Sequence, residues 1–116
     1  MFDVKVDRTD PALLHDQVAA DIRRAIAEGE ALPGERLPPA RDLAAVLGVN
    51  TNTVLRALRL LRDEGLLEFR RGRGITVSGG AVARSIVLGK AHDLVEVARS
   101  QGIRRDELLR LIEGLA

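Results

Sequence analysis

Residues 48–77 read GVNTNTVLRALRLLRDEGLLEFRRGRGITV, and the order of signals within them decides the fold. Gly48 is placed to end a preceding helix through a left-handed cap, and a tight turn runs on through Val49. Asn50 or Thr51 then offers a side-chain oxygen to free backbone N–H groups and starts a new helix. In that helix Val54, Ala57, Leu58 and Leu61 share one face, while Thr51, Asn52, Leu55, Arg56, Arg59 and Arg62 lie mostly elsewhere. After Gly65 the apolar period changes from helical to alternating. Leu67 and Phe69 alternate, the run Arg70–Gly74 intervenes, and Ile75 and Val77 alternate again. This is a β-hairpin with a basic tip.

Upstream, a short helix is expected from about Pro39 to Leu47, with Leu43 and Leu47 at core spacing. Helix, short glycine turn and helix together make the helix-turn-helix pattern. Before it lies EALPGERLPPAR, whose Pro33, Gly34, Pro38 and Pro39 forbid a regular helix and predict a rigid connection with a turn at Pro33 and Gly34. Asp10 and Pro11 mark the start of a first helix ending near Gly29. Leu14, Val18, Ile22 and Ile26 form its apolar stripe, widened by Leu13, Ala19 and Ala25. Downstream, Ser78, Gly79 and Gly80 are a flexible exit. A helix from about Val82 to Ser100 carries Ile86, Leu94, Val97 and Ala98; Gly102 stops it, and Ile103–Leu115 forms another with Leu108, Leu111, Ile112 and Leu115 on one face. The expected fold is mainly α with a small β-hairpin: a winged helix-turn-helix over residues 1–78, then a two-helix hairpin over 79–116.

Composition narrows the class. With 46% hydrophobic and 30% charged residues the chain has the balance of a folded globular protein. The absence of cysteine excludes disulfides and thiolate metal sites. His15 and His92 stand alone, without ligand spacing to each other or to an acidic partner, so they read as surface residues, and neither a metal nor a cofactor is expected. No segment approaches the ~18 apolar residues of a membrane span, and MFDVKVDRTD lacks a signal-peptide core, which leaves a cytoplasmic location. Net charge is only +1, but its distribution is uneven. Residues 1–36 hold five basic and eight acidic side chains, whereas residues 51–78 hold six arginines against three acidic residues.

The chemistry follows from that placement. The N-terminus of a recognition helix points at base edges and phosphates, and Asn50, Thr51, Asn52 and Thr53 are short polar side chains suited to it. Gly72 and Gly74 let the hairpin backbone approach DNA, while Arg71 and Arg73 reach phosphates or an adjacent minor groove. Leu58, Leu61, Leu66, Phe69 and Ile75 read as packing residues. The alternative is a winged helix used as a protein-interaction module, which would favour acidic or apolar groove positions. Leu55 alone points that way, and a lone apolar side chain also suits a thymine methyl group. An enzyme is not expected: no nucleophile sits beside a base, there is no phosphate-binding Gly-Lys loop, and RRGRG lacks a following helix.

The stretch Leu32–Val77 resembles the DNA-binding domain of the GntR family of bacterial regulators in its Pro-Gly connection, its Leu-Pro-x-x-Arg element, its glycine turn and its Gly-x-Gly wing. VNTNTVLRAL, residues 49–58, resembles the YtrA-type subfamily, and Leu94–Leu115 is similar to its two-helix C-terminal part. The resemblance implies DNA contacts from Arg41, from Asn50, Thr51, Asn52 and Thr53, from Arg56, and from Arg71, Gly72, Arg73 and Gly74 of the wing. Thr51 and Leu55 stand where many members outside this subfamily carry arginine, so base preference does not transfer. Pro39 and Ala40 also depart from the usual residues before Arg41.

A helical hairpin with an apolar stripe on each helix buries little alone, so its partner is expected to be a second copy. A twofold dimer presents two recognition helices and calls for an inverted-repeat operator in double-stranded DNA, with repression by occlusion. An unidentified small-molecule effector finds no room for an enclosed site of ~300 Å³ within one C-terminal hairpin, and a dimer interface is where such a site would form.

Overall fold

The computed structural model describes residues 14–116. The start of the first helix at Asp10 and Pro11, and Leu13 of its stripe, lie outside the described residues.

Helix α1 (Leu14–Ala27) buries Val18, Ala19, Ile22, Ala25 and Ile26. These recur every three or four positions, so a single face meets the core. Gly29, in the left-handed region at φ 79°, turns the chain, and the Glu30 N–H donates back to the Ala25 carbonyl at 2.8 Å. Helix α2 (Ala40–Leu47) contributes Leu43 and Ala44 to the core and ends as its sequence predicts. Gly48 adopts φ 66°, and its N–H donates to the Ala44 carbonyl. Helix α3 (Thr51–Asp63) starts at Asn50, whose side chain accepts the Asn52 N–H at 2.8 Å. Val54, Ala57, Leu58 and Leu61 of α3 have no measurable exposure and pack against both α1 and α2.

Strands β1 (Leu67–Arg70) and β2 (Gly74–Val77) form an antiparallel hairpin in the register Leu67 to Val77 and Arg70 to Gly74. Leu66, Leu67 and Val77 close the core beneath it.

The Pro/Gly segment, expected as a rigid connection, also forms a strand-like edge. Residues 34–37 run antiparallel along the free edge of β2. The Gly34 N–H donates to the Val77 carbonyl at 2.8 Å, the Val77 N–H to the Glu35 carbonyl at 2.9 Å, and the Leu37 N–H to the Ile75 carbonyl at 2.8 Å, with Arg36 paired to Thr76. The reason is edge satisfaction: β2 would otherwise present unpaired backbone groups. Pro33 and Pro38, which lack the N–H, flank the bonded residues and hide the strand from a pattern search.

Phe69 is a second correction. It is 38% exposed rather than packed in the core, and its ring lies under the Arg62 guanidinium, 4.7 Å from the ring centroid. Ile75 is half-buried.

Helix α4 (Ala81–Ser100) begins on the winged domain, where Ala81 and Ser85 are buried. Backbone contacts divide the chain into two compact units, residues 1–86 and 87–116. The second unit holds the rest of α4, a turn at Gly102 (φ 75°) and helix α5 (Arg105–Leu115). Within it Ala98 is buried, and the Ile103 N–H donates to the Ala98 carbonyl at 2.9 Å. Val87, Leu94, Val97, Leu109, Leu111, Ile112 and Leu115 remain exposed, and α5 buries no residue.

Candidate nucleic-acid interface

The front of the winged domain is set by where α3 begins. Because the Asn50 side chain caps the helix, Thr51 and Asn52 occupy its first turn and are exposed, with Thr53 half-buried behind them. The uncapped N–H groups of this turn and the helix dipole favour an anionic ligand at the same place. Arg56 and Arg59 continue the exposed face along the helix, and Leu55 is half-buried. Capping occupies the Oδ1 of Asn50 and leaves its amide NH2 as the group able to reach outward. Arg41 stands in the first turn of α2, its side chain 85% exposed and its Nε 4.0 Å from Asp42, at the outer limit of an ion pair.

The wing tip is a turn through Arg71, Gly72 and Arg73, closed by an Arg73 N–H bond to the Arg70 carbonyl at 3.0 Å. Gly72 and Gly74 both lie in the left-handed region, at φ 79° and 73°, so each side chain allowed there would carry a backbone cost. Arg71 and Arg73 are exposed on either side of Gly72.

Apart from Arg41, the described arginines of the winged domain fall into two sets. One set is committed to the fold. Arg23 makes a forked bond to the Glu64 carboxylate at 2.9–3.1 Å, with side chains only 6% and 12% exposed, and so ties α1 to the end of α3. Arg84 of α4 donates to the Glu64 backbone carbonyl at 2.5 Å. Arg24 is surrounded by Glu30, Asp21 and Glu28, which push its pKa above the ordinary arginine value, while Arg24 and then Glu28 hold the Glu30 carboxyl below the usual carboxylate range. Arg70 bonds Glu68 at 2.6 and 2.9 Å, and Arg62 lies 3.4 Å from Asp63 while stacking on Phe69.

The other set, Arg36, Arg56, Arg59, Arg71 and Arg73, makes no ion pair with any described residue. All five are exposed: Arg56 and Arg59 on α3, Arg71 and Arg73 at the wing tip, and Arg36 on the connection that pairs with β2. Their charge is therefore available to an external anion. Arg71 and Arg73 were expected at the site from the composition of the wing, and Arg56 from the family resemblance. Arg59 was visible only as part of the polar face, and Arg36 was concealed by the proline-bounded connection.

A groove of about 330 Å³ between the connection and α2 carries the opposite sign: Leu37, Leu43 and Val46 line it, with Glu30, Glu35 and Asp42 at its rim. It adds nothing to an anion-binding surface. Among the described residues no cluster of histidine or acidic side chains is able to hold a metal ion, and no helix is long and apolar enough to cross a membrane. The Nε2 atom of His15 lies 3.3 Å from Asp16 and His92 is exposed.

A capped, polar-fronted second helix beside a basic, glycine-turned wing defines the winged helix-turn-helix class of DNA-binding regulators. Residues 14–77 match the model of the GntR family of bacterial regulatory proteins, and the chain belongs to that family. It is 34% identical to the HTH-type transcriptional regulator Rv1152 of Mycobacterium tuberculosis over 85% of this chain and 82% of the relative. It is 32% identical to the HTH-type transcriptional repressor YtrA of Bacillus subtilis over 75% of this chain and 66% of that one. The solved structure of YtrA from Sulfolobus acidocaldarius, a GntR-family transcription factor, matches with a TM-score of 0.60 and 28% identity, covering 97% of this chain and 95% of that one. The regulator is of the YtrA type.

Proposed function

We propose that this chain is a transcriptional repressor that binds an inverted-repeat operator as a homodimer, with residues 1–78 contacting DNA and residues 79–116 holding the dimer together. The observation that carries the proposal is the segregation of arginines. Arg23, Arg24, Arg62 and Arg70 are spent on carboxylates, while Arg56 and Arg59 of α3 and Arg71 and Arg73 of the wing tip are exposed and make no ion pair with a described residue. Such a set neutralises phosphates and releases counterions, which makes binding tight and salt-dependent. Thr51 and Asn52, exposed at the front of α3, are the candidates for base readout. Arg41, Asn50, Thr53 and Arg56 add contacts, and Arg71, Gly72, Arg73 and Gly74 dock the wing.

Dimerisation is supported by the second unit, whose Leu94, Val97, Leu111 and Ile112 remain exposed on a helical pair with little core of its own. An apolar face left open on a two-helix unit suits a second copy of itself. Repression accords with the name carried by the Bacillus subtilis relative. A dimer seated over a promoter blocks polymerase, in the cytoplasm and without catalysis. A small-molecule effector, if one acts, belongs at the dimer interface.

The test is light scattering together with anisotropy of labelled duplexes. A mass of two chains at micromolar concentration, with tighter binding to a selected inverted repeat than to random DNA, supports the proposal. A monomeric mass, or binding indifferent to salt, contradicts it and favours a protein-interaction module.

A further inference from the structure

The wing has three strand-like segments rather than two, and the added one brings a charge. Paired residues of an antiparallel sheet project to the same face, and that face alternates along each strand. Arg36 pairs with Thr76, Thr76 with Glu68, and Arg70 with Gly74, so these residues share the outer face of the wing. Leu67, Phe69, Ile75 and Val77 take the other face, on which Leu67 and Val77 are buried, Ile75 is half-buried and Phe69 lies exposed beneath Arg62.

On that outer face Arg70 is neutralised by Glu68, at 2.6 and 2.9 Å. Without Arg36 the face would carry no net charge. Arg36 is exposed and has no carboxylate partner among the described residues. Its position is also defined. A Cβ built on Gly74 would lie 3.0 Å from the Arg36 Nε and 3.2 Å from one of its terminal nitrogens. The guanidinium therefore lies across the backbone of Gly74, in the space a side chain would fill. Gly74 thus has two reasons to be glycine, its φ of 73° and the arginine above it. Gly72, by contrast, has open space where its Cβ would stand, so only its φ of 79° demands glycine.

We infer that Arg36, delivered by the Pro33–Pro38 connection and laid across Gly74, is a phosphate-binding residue of the wing that acts beside Arg71 and Arg73. This rests on the DNA-binding reading above. The role is electrostatic positioning on the backbone rather than base readout, because an exposed guanidinium lying over the Gly74 backbone keeps N–H groups open to an approaching phosphate.

The experiment compares wild type, Arg36→Gln and Arg36→Lys on a duplex selected by the wild type and on a random duplex, across a salt series, with thermal melting of each protein. Loss of one phosphate contact lowers the slope of log Kobs against log salt by about 0.9. Arg36→Gln is expected to show that drop, with equal fold-losses on both duplexes and an unchanged melting temperature, and Arg36→Lys is expected to keep the wild-type slope. An unchanged slope for Arg36→Gln overturns the inference while leaving the DNA-binding reading in place. So does a loss of affinity that comes with a lower melting temperature, since Arg36 would then act by holding the wing together. Failure of the wild type itself to bind either duplex overturns both.

Discussion

The two units of this chain solve the burial problem in opposite ways. The winged domain closes its own core. Ile22, Ile26, Val54, Leu58, Leu61 and Leu66 are all at most 1% exposed, and even a buried charge, Arg23, is answered by Glu64. The C-terminal hairpin leaves most of its large apolar side chains in solvent and buries little besides Ala98. Both have helices of good amphipathic pattern, so pattern alone does not separate them. What separates them is the number of packing partners: α3 meets α1, α2 and β1, whereas a two-helix unit has one internal interface. The first is built to fold by itself and to offer a polar face outward. The second leaves its apolar side chains without an internal partner.

If that contrast is right, charge placed on the hairpin will disrupt assembly and not folding. Leu111 is 53% exposed, and Leu111→Asp is expected to halve the mass seen by light scattering. Operator affinity should fall by about 10²–10⁴-fold as the two half-sites lose their linkage. An unaltered dimer would break the comparison at its root.

The converse change acts inside the winged domain. Glu64→Ala leaves the Arg23 guanidinium buried without its carboxylate, and removal of one partner from such a pair costs about 3–5 kcal/mol. Urea unfolding should show a loss of this order, and a loss below ~1 kcal/mol would mean that the pair is solvated in a way its 6% and 12% exposures do not suggest.

Smaller effects sharpen the assignment of the exposed face. Asn52→Ala is expected to cut discrimination between operator and random DNA by about 1–3 kcal/mol, measured as the ratio of the two dissociation constants. Equal losses on both DNAs would remove Asn52 from base readout. Arg73→Ala should weaken binding to every sequence and lower the salt slope by about 0.9. A change confined to one sequence would show that the wing reads bases.

Most of the architecture was legible because local chemistry determines it. Gly48 as a left-handed cap and the change of period after Gly65 each have one natural interpretation that the structure bears out, and of the two cap candidates Asn50 and Thr51 the structure uses Asn50. What escaped the sequence depends on contacts between distant positions. Nothing near Glu64 announces that its carboxylate meets Arg23, forty-one positions away. Nothing in LPGERLP shows that Glu35 and Leu37 complete the edge of β2, because the flanking prolines suppress the strand signal. Phe69 alternates with Leu67 as a core residue would, yet sits at the rim where Arg62 covers it. Arg36 was missed for the same reason as its strand. Arg71 and Arg73 were singled out because a charged tip between two strands is a local feature, whereas Arg56 came from the resemblance to the GntR family.

The most direct test of the central claim is fluorescence anisotropy of a labelled duplex from upstream of the protein's own gene, set against random DNA at two salt concentrations. Tighter binding to the upstream duplex that weakens steeply with added salt is the predicted result. Absence of binding to either duplex at low salt would contradict the account and turn the exposed α3 face toward a protein partner.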